Sequence, residues 1–302
     1  MYKRQAFVQS VYILLRERPH AVLATGGYAS GSCALAASML GIPVVLIEPN
    51  SIPGRTTLML SRFVDEVALG YKECISRFPK GTNLRVTGVP IRKEILGISR
   101  SEGIAKFRLD EDRLTVFVFG GSRGASRINH AVVDAVKKVK TENIQFLIQT
   151  GYGDYEWVRD EVRSSGFPCK VFAYVEKIGY AYAACDLVVS RAGAVTLAEI
   201  TACGLPAILV PYPHAVMNHQ FLNAQILEKA GAAVIIKDED LGGESLARAI
   251  DSIISDPQTL KSMSEKARSL AREDAATEVA AHILQLTKLR RKLSRLTAVL
   301  SE

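Results

Sequence analysis

The sequence predicts an α/β protein made of two Rossmann-like domains with doubly wound parallel sheets. Three observations carry this. Short runs of Val, Ile and Leu recur along the chain, glycine-rich turns follow several of them, and stretches with helical apolar spacing lie between them. Runs that are apolar at every position, not at alternate ones, suit strands covered on both faces, and the intervening helices supply the cover.

Taken in order, strands are expected at Ala21–Ala24, Val44–Ile47, Val67–Leu69, Thr115–Phe119, Gln145–Gln149, Lys170–Ala173, Leu187–Val189, Ala207–Val210 and Ala233–Ile236. Helices are expected at Gln5–Arg16, Ser32–Leu40, Thr56–Phe63, Ala125–Val139, Tyr155–Ser164, Ile178–Ala184, Thr196–Cys203, Gln220–Lys229 and Ser245–Ile254. The rhythm breaks at "VPIRKEILGISRSEGIAKFRLDEDR", a charged stretch with a turn-like Gly97, which reads as a connection between domains. The expected division is 1–97, 98–275 and a basic amphipathic helix over 276–302. That last segment carries Lys288, Arg290, Arg291, Lys292 and Arg295 among leucines, so it can pack on the body or lie on a membrane face. Three strands precede the connection and six follow it. The chain also opens inside a helical pattern (Phe7, Val8, Val11, Tyr12, Leu14, Leu15), so the first domain is expected to be incomplete at its start.

A length of 302 residues suffices for two cores. With 48% hydrophobic and 23% charged residues the composition is that of a soluble globular protein. The longest apolar stretch, Cys33–Ile47, is interrupted by Ser38, Gly41 and Pro43 and falls short of the ~18 residues a membrane span needs. No secretory leader pattern opens the chain. Five scattered cysteines without a C-x-x-C pair read as free thiols in a reducing compartment. The net charge of +7 favours anionic partners such as phosphates or acidic lipid, although a solvated basic surface gives the same sum. Nucleic acid is disfavoured, because the basic residues are not interleaved with aromatics on a platform.

Strand-to-helix turns of the phosphate-binding kind occur at Thr25–Gly31, at Gly120–Gly124 and at Ser190–Ala194. Glycine admits a ligand to the backbone, and the helix start behind it offers unpaired N–H groups and partial positive charge. The same glycines also serve packing in any such fold. A dinucleotide site is disfavoured: "FGGSRGAS" lacks G-x-G-x-x-G spacing, and its second strand ends in Gln149-Thr150 where an acid is required. The turn at Ser190 suits a nucleoside diphosphate, with Gly193, the N–H groups of Ala194, Val195 and Thr196, and the Thr196 hydroxyl on phosphate. Glu199 then either accepts both ribose hydroxyls or is an acid placed by the helix dipole. His214, Asn218, His219 and Gln220, at the same sheet edge, suit either sugar hydroxyls or helix-start capping. No metal-ligand spacing, Asp-x-Asp pair or G-x-S-x-G elbow is present in the sequence.

Four segments in order, "GGYASGSCALAASMLGIPVVLIEPNSIPGRTT", "GVPIR", "FGGSRGASRIN" and "SRAGAVTLAEITACGLPAILVPYPHAVMNHQFLNAQILEKAGAA", resemble the MurG family across nearly the whole chain. These are the bacterial transferases of glycosyltransferase family 28 that convert lipid I to lipid II. The resemblance implies GT-B architecture, two Rossmann-like domains with an inter-domain cleft. It implies an inverting, metal-independent and cofactor-free transfer of N-acetylglucosamine from UDP-GlcNAc to the 4-hydroxyl of the lipid-linked muramoyl sugar. On the donor side it assigns Ser122 to phosphate, Arg92 to the edge of the site, Val175 to uracil through its backbone, and Gln220 to the sugar hydroxyls. Ala194, Val195, Thr196, Leu197, Ala198 and Glu199 take nucleotide and diphosphate, with Glu199 on ribose. The acceptor cleft takes Gly26, Gly27, Tyr28, Ser30, Gly31, Glu48 and Asn50.

The resemblance further implies peripheral attachment to the anionic cytoplasmic face of the membrane through an apolar patch with basic neighbours, here including Phe7 and Tyr12. The family's first glycine-rich loop, with a histidine often assigned to catalysis, is expected ahead of Met1, which leaves Glu48 as the candidate base. Departures are Ile47 for histidine and Pro49 for glutamine around Glu48, Val89 and Ile91 in the "GVPIR" motif, Arg123, Met217 for an acid, and Ser32 for proline. A UDP-sugar-binding chain without turnover, or another GT-B transferase or epimerase, remains an alternative.

Overall fold

The computed structural model describes residues 2–300, with side chains at 5–27 and 30–289. The chain divides into two compact units. Ile91–Ala271 forms one, and the other combines everything up to Pro90 with everything from Arg272. The first unit contains α1 (Tyr2–Glu17), β1 (Val22–Ala24), α2 (Gly27–Met39), β2 (Val44–Glu48), α3 (Arg55–Leu60), β3 (Glu66–Leu69) and β4 (Leu84–Val86). The second runs α4 (Arg100–Phe107), β5 (Leu114–Phe119), α5 (Ser126–Val136), β6 (Ile144–Gln149), α6 (Tyr155–Ser164), β7 (Cys169–Phe172), α7 (Ile178–Ala184) and β8 (Leu187–Ser190). It continues with α8 (Ala194–Ala202), β9 (Ala207–Leu209), α9 (His219–Ala230), β10 (Ala233–Ile235), α10 (Gly243–Ile254) and α11 (Pro257–Ser269). The last helix, α12 (Ala275–Leu300), returns to the first unit.

Both sheets are parallel, in the orders β1-β2-β3-β4 and β10-β9-β8-β5-β6-β7. The expected fold class is therefore the one observed. All five residues of β2 are buried, and alternation sorts them between two layers. Val44 and Leu46 join the core under α1 and α2, while Val45 and Ile47 meet Val279, Ile283 and Leu286 of α12. The first turns of the basic amphipathic helix thus pack on the body and cover the second face of this sheet. The side chains of Arg290, Arg291, Lys292 and Arg295 lie outside the described residues. In the second unit Val116 and Val118 face α5 and α10, and Phe117 and Phe119 face α7 and α8. Each such side chain contributes about 1.5–3 kcal/mol on burial, so the strands stay apolar on both faces.

Three elements were not expected. β4 adds a fourth strand to the first sheet. α4 lies inside the stretch read as a connection; Ser99 caps it, accepting from the Glu102 N–H, while the Glu102 carboxylate takes the Ser99 N–H in return. It packs on α7 through Gly103, where a Cβ would sit 2.5 Å from the Tyr180 carbonyl oxygen, and its Phe107 enters the second core. α11 starts at Pro257 behind an Asp256 cap. α1 has two apolar faces: Phe7, Val11 and Leu14 turn to the core, while Val8, Tyr12 and Leu15 are exposed. Phe7 is thus partly buried against this core, while Tyr12 is exposed. Among the described residues no helix is long and apolar enough to cross a membrane.

Candidate active site

A doubly wound sheet binds ligands beyond the carboxyl ends of its strands, where the strand order reverses. In the second unit that point lies between β5 and β8, so the turns after these two strands define the site. After β8 the chain passes through Gly193 straight into α8, and a Cβ at Gly193 would meet only the Thr196 hydroxyl, at 3.8 Å. The backbone is open to a ligand there. The intrahelical ladder starts with the Leu197 N–H donating to the Gly193 carbonyl at 2.9 Å, so the N–H groups of Ala194, Val195 and Thr196 point out of the helix. Leu197, expected among the ligand contacts, has its N–H committed in this way and its side chain fully buried in the second core. Ala198, one residue further into α8, is half-buried on the helix.

Glu199 stands in the second turn of α8, is 5% exposed, and has no part in the helix's first turn. That position removes the dipole explanation, because the effect is confined to the terminal turn. Its Oε2 accepts from the Tyr182 hydroxyl at 3.0 Å, and its Oε1 faces the Arg92 guanidinium at 3.5 Å. Burial raises the Glu199 pKa, opposed by the Tyr182 hydrogen bond and by Arg92. Burial also holds Tyr182 far above its ordinary value, with the facing carboxylate adding to it, so the phenol is a protonated donor.

Gln220 and Gln149 brace the turns. The Gln220 amide oxygen accepts from the Ala192 N–H at 3.2 Å and the Tyr212 N–H at 3.0 Å, leaving its NH2 group as the end able to meet a ligand. The buried Gln149 donates to the Gly121 carbonyl at 3.1 Å and accepts from the Val175 N–H at 2.9 Å. Val175 can therefore offer a base its carbonyl but not its N–H. After β5, Gly121 has open space around it and Ser122 is exposed beside it. Arg191, only 14% exposed at its side chain, pairs with Asp238 at 2.6 Å and donates to the Val210 and Pro211 carbonyls; Arg127 reaches the same carboxylate at 3.1 Å. Of this network Arg127 and Asp238 line a cavity of about 720 Å³, together with Pro211, Pro213 and Phe221. His219 opens α9, whose start carries no side-chain cap, and its Nδ1 lies 2.8 Å from the Val216 carbonyl oxygen. His214 stacks edge-on with Tyr212.

Burial pushes the Cys74 and Cys169 thiols up to about 12, so they stay protonated and do not serve as nucleophiles. Among the described residues no cluster of His, Cys, Asp and Glu could hold a metal.

In the first unit, the Gly26–Gly31 segment is helix, not loop: α2 starts at Gly27 with Gly26 as its cap. Gly31 serves an approach to α3, where its Cβ would lie 3.0 Å from Thr56, and the Ser30 hydroxyl donates back to the Gly26 carbonyl. The side chain of Tyr28 lies outside the described residues. Glu48 is 3% exposed and acts as a tie: Oε1 accepts from the N–H and side-chain amide of Asn50 at 3.1 and 3.2 Å, and Oε2 from the Gly54 N–H at 2.9 Å. Glu48→Gln sets an NH2 group against one of these donors. We expect it to cost about 1–3 kcal/mol in a melting experiment; unchanged melting with turnover abolished would instead mark Glu48 as the base.

A doubly wound sheet with an open helix start and a buried acid at its switch point suits a nucleotide-bearing ligand, and the comparisons with known proteins make the class a glycosyltransferase of GT-B type. Residues 115–279 match the glycosyltransferase family 28 C-terminal domain and residues 1–69 match its N-terminal domain. The chain belongs to this family. It is 40% identical over 282 residues to the UDP-N-acetylglucosamine--N-acetylmuramyl-(pentapeptide) pyrophosphoryl-undecaprenol N-acetylglucosamine transferase of Desulforamulus reducens, covering 91% of this chain and 76% of that protein. The protein of the same name from Bacillus subtilis is 41% identical over 273 residues, covering 90% and 75%. The crystal structure of MurG from Acinetobacter baumannii superposes with a TM-score of 0.77 at 28% identity, over 93% of this chain and 78% of that one. A UDP-GlcNAc 2-epimerase from Neisseria meningitidis shares the fold at 13% identity, with a TM-score of 0.68 over 94% and 81%.

Proposed function

We propose that this chain transfers N-acetylglucosamine from UDP-GlcNAc to the 4-hydroxyl of undecaprenyl-pyrophosphoryl-MurNAc-pentapeptide, with inversion, in peptidoglycan biosynthesis. The supporting observation is one juxtaposition: three outward N–H groups at the start of α8 and a buried carboxylate one turn beyond them, in a chain so similar to transferases of that name. As the acceptor oxygen attacks the anomeric carbon, the bond to the diphosphate oxygen breaks and negative charge grows on the leaving UDP. The Ala194, Val195 and Thr196 N–H groups, the α8 dipole and the Ser122 hydroxyl are the groups to which this reading gives the stabilisation of that charge. In this reading the helix start supplies the electrostatic work, and no cofactor is called for. Glu199 takes the ribose hydroxyls, the Val175 carbonyl the uracil and the Gln220 NH2 group the sugar. Glu48 holds the turn that presents Asn50 to the acceptor.

The exposed Val8, Tyr12 and Leu15, with Arg16 and Arg18 beside them, suit peripheral attachment to an anionic membrane surface. The direct test supplies UDP-GlcNAc and the lipid-linked acceptor and analyses the products. UDP with a lipid-linked disaccharide is expected. UDP binding without product would reduce the chain to a donor-binding protein, and release of an epimerised sugar would overturn the reading.

A further inference from the structure

We propose that Tyr182 is a positioning residue for ribose recognition, holding the Glu199 carboxylate in the orientation that receives the two hydroxyls. This rests on the assignment of Glu199 to ribose. Tyr182 sits on α7, is 1% exposed, and its ring stands edge-on to Phe117 and Phe119 at centroid distances of 6.0 and 6.1 Å. The ring is thus locked in the second core, where a phenylalanine would fill the same space. A buried hydroxyl costs free energy unless it is hydrogen-bonded, and this one has its bond with Glu199 Oε2 at 3.0 Å.

A carboxylate has about four acceptor positions. Tyr182 occupies one on Oε2, and Arg92 stands 3.5 Å from Oε1. The phenol therefore fixes the plane of the carboxylate while leaving acceptor positions on both oxygens for a vicinal diol. It does so from behind, without reaching the ligand. Removing only the hydroxyl leaves helix, core and acid in place and frees the carboxylate to rotate.

The groups facing Glu199 are Tyr182 from α7 and Arg92 from the segment before α4; Cys203 and Cys185 lie near Tyr182. The phenol favours the charged carboxylate, as Arg92 does. Ribose hydroxyls donate to the ionised acid, so affinity falls as pH drops and Glu199 gains a proton. Without the Tyr182 hydroxyl that fall moves to higher pH.

The test is calorimetric titration of the full chain and its Tyr182→Phe variant with UDP and with 2′,3′-dideoxy-UDP. Tyr182→Phe is expected to bind UDP about tenfold more weakly, the scale of one hydrogen bond to a charged group. It should bind the dideoxy nucleotide as the parent does, with melting nearly unchanged. In turnover, KM for the donor rises and kcat holds. Adding Tyr182→Phe to Glu199→Gln should give little further loss. Equal losses with both nucleotides would make Tyr182 a general structural residue and overturn the proposal. So would undiminished UDP affinity in Tyr182→Phe where Glu199→Gln has lost it. If the parent binds both nucleotides alike, the ribose assignment itself has failed, and the proposal falls with it for a distinguishable reason.

Discussion

Glu199→Ala is expected to weaken UDP binding on the order of 100-fold, the loss of two hydrogen bonds to a charged acceptor. Stability should change little, because two effects oppose. The substitution relieves a desolvated carboxylate, whose pKa burial has raised, but it orphans the Tyr182 hydroxyl inside the second core. The pH dependence separates the two. An acid with a raised folded-state pKa holds its proton more tightly folded than unfolded, so stability falls as pH rises from the ordinary carboxylate range through the raised value. The parent should show that slope across mildly acidic pH and Glu199→Ala should lack it. Melting curves over that range, beside titrations with UDP, check both halves; unchanged UDP affinity would remove Glu199 from the site.

The strands were legible wherever burial on two faces kept every position apolar, as in Val44–Ile47 and Val116–Phe119. β4 was not, because its residues are only partly buried and include the exposed Arg85. α4 was hidden by its charges, although Ser99 and Glu102 carried the capping spacing in plain view. The destination of α12 was not legible, because an amphipathic stripe names no partner. Even so, the two-faced β2 needed a cover beyond α1 and α2, and α12 supplies it.

Residue types at the candidate site were legible; their hydrogen-bond partners were not. "SRAGAVTLAE" announces an open helix start followed by an acid, and the structure has both. Nothing in the sequence separates a glutamine that faces a ligand from one whose oxygen satisfies two backbone N–H groups, and Gln220 is the second kind at its oxygen end. Gln149 stands out in the sequence only as an amide where dinucleotide sites carry an acid, not as the brace between Gly121 and Val175. Tyr182 gave no signal, since a tyrosine among alanines on a helix reads as core.

The glycine turns show the same limit, and they make the largest stability prediction. Gly124→Ala should destabilise the second unit by about 3 kcal/mol or more, which for a unit of this size lowers the melting temperature by roughly 10 °C. Gly124 has φ +78°, and a Cβ there would lie 1.9 Å from the Thr150 carbonyl oxygen. The contact is mutual: a Cβ on Gly151 would lie 2.4 Å from the Arg123 carbonyl oxygen, so the two turns interlock backbone to backbone. Side-chain movement cannot relieve either clash, and separating the turns would pull Thr150 from Asn129, which donates to its carbonyl at 2.9 Å. Gly121→Ala is the control. Its φ of +98° carries a conformational cost of about 1–3 kcal/mol, but its Cβ meets no atom within 4 Å. Its larger effect should appear in UDP affinity, because the added methyl projects into the space a phosphate would take. If Gly124→Ala melts with the parent, the two turns do not interlock. If Gly121→Ala binds UDP normally, the turn after β5 serves packing alone and the phosphate contact rests on α8.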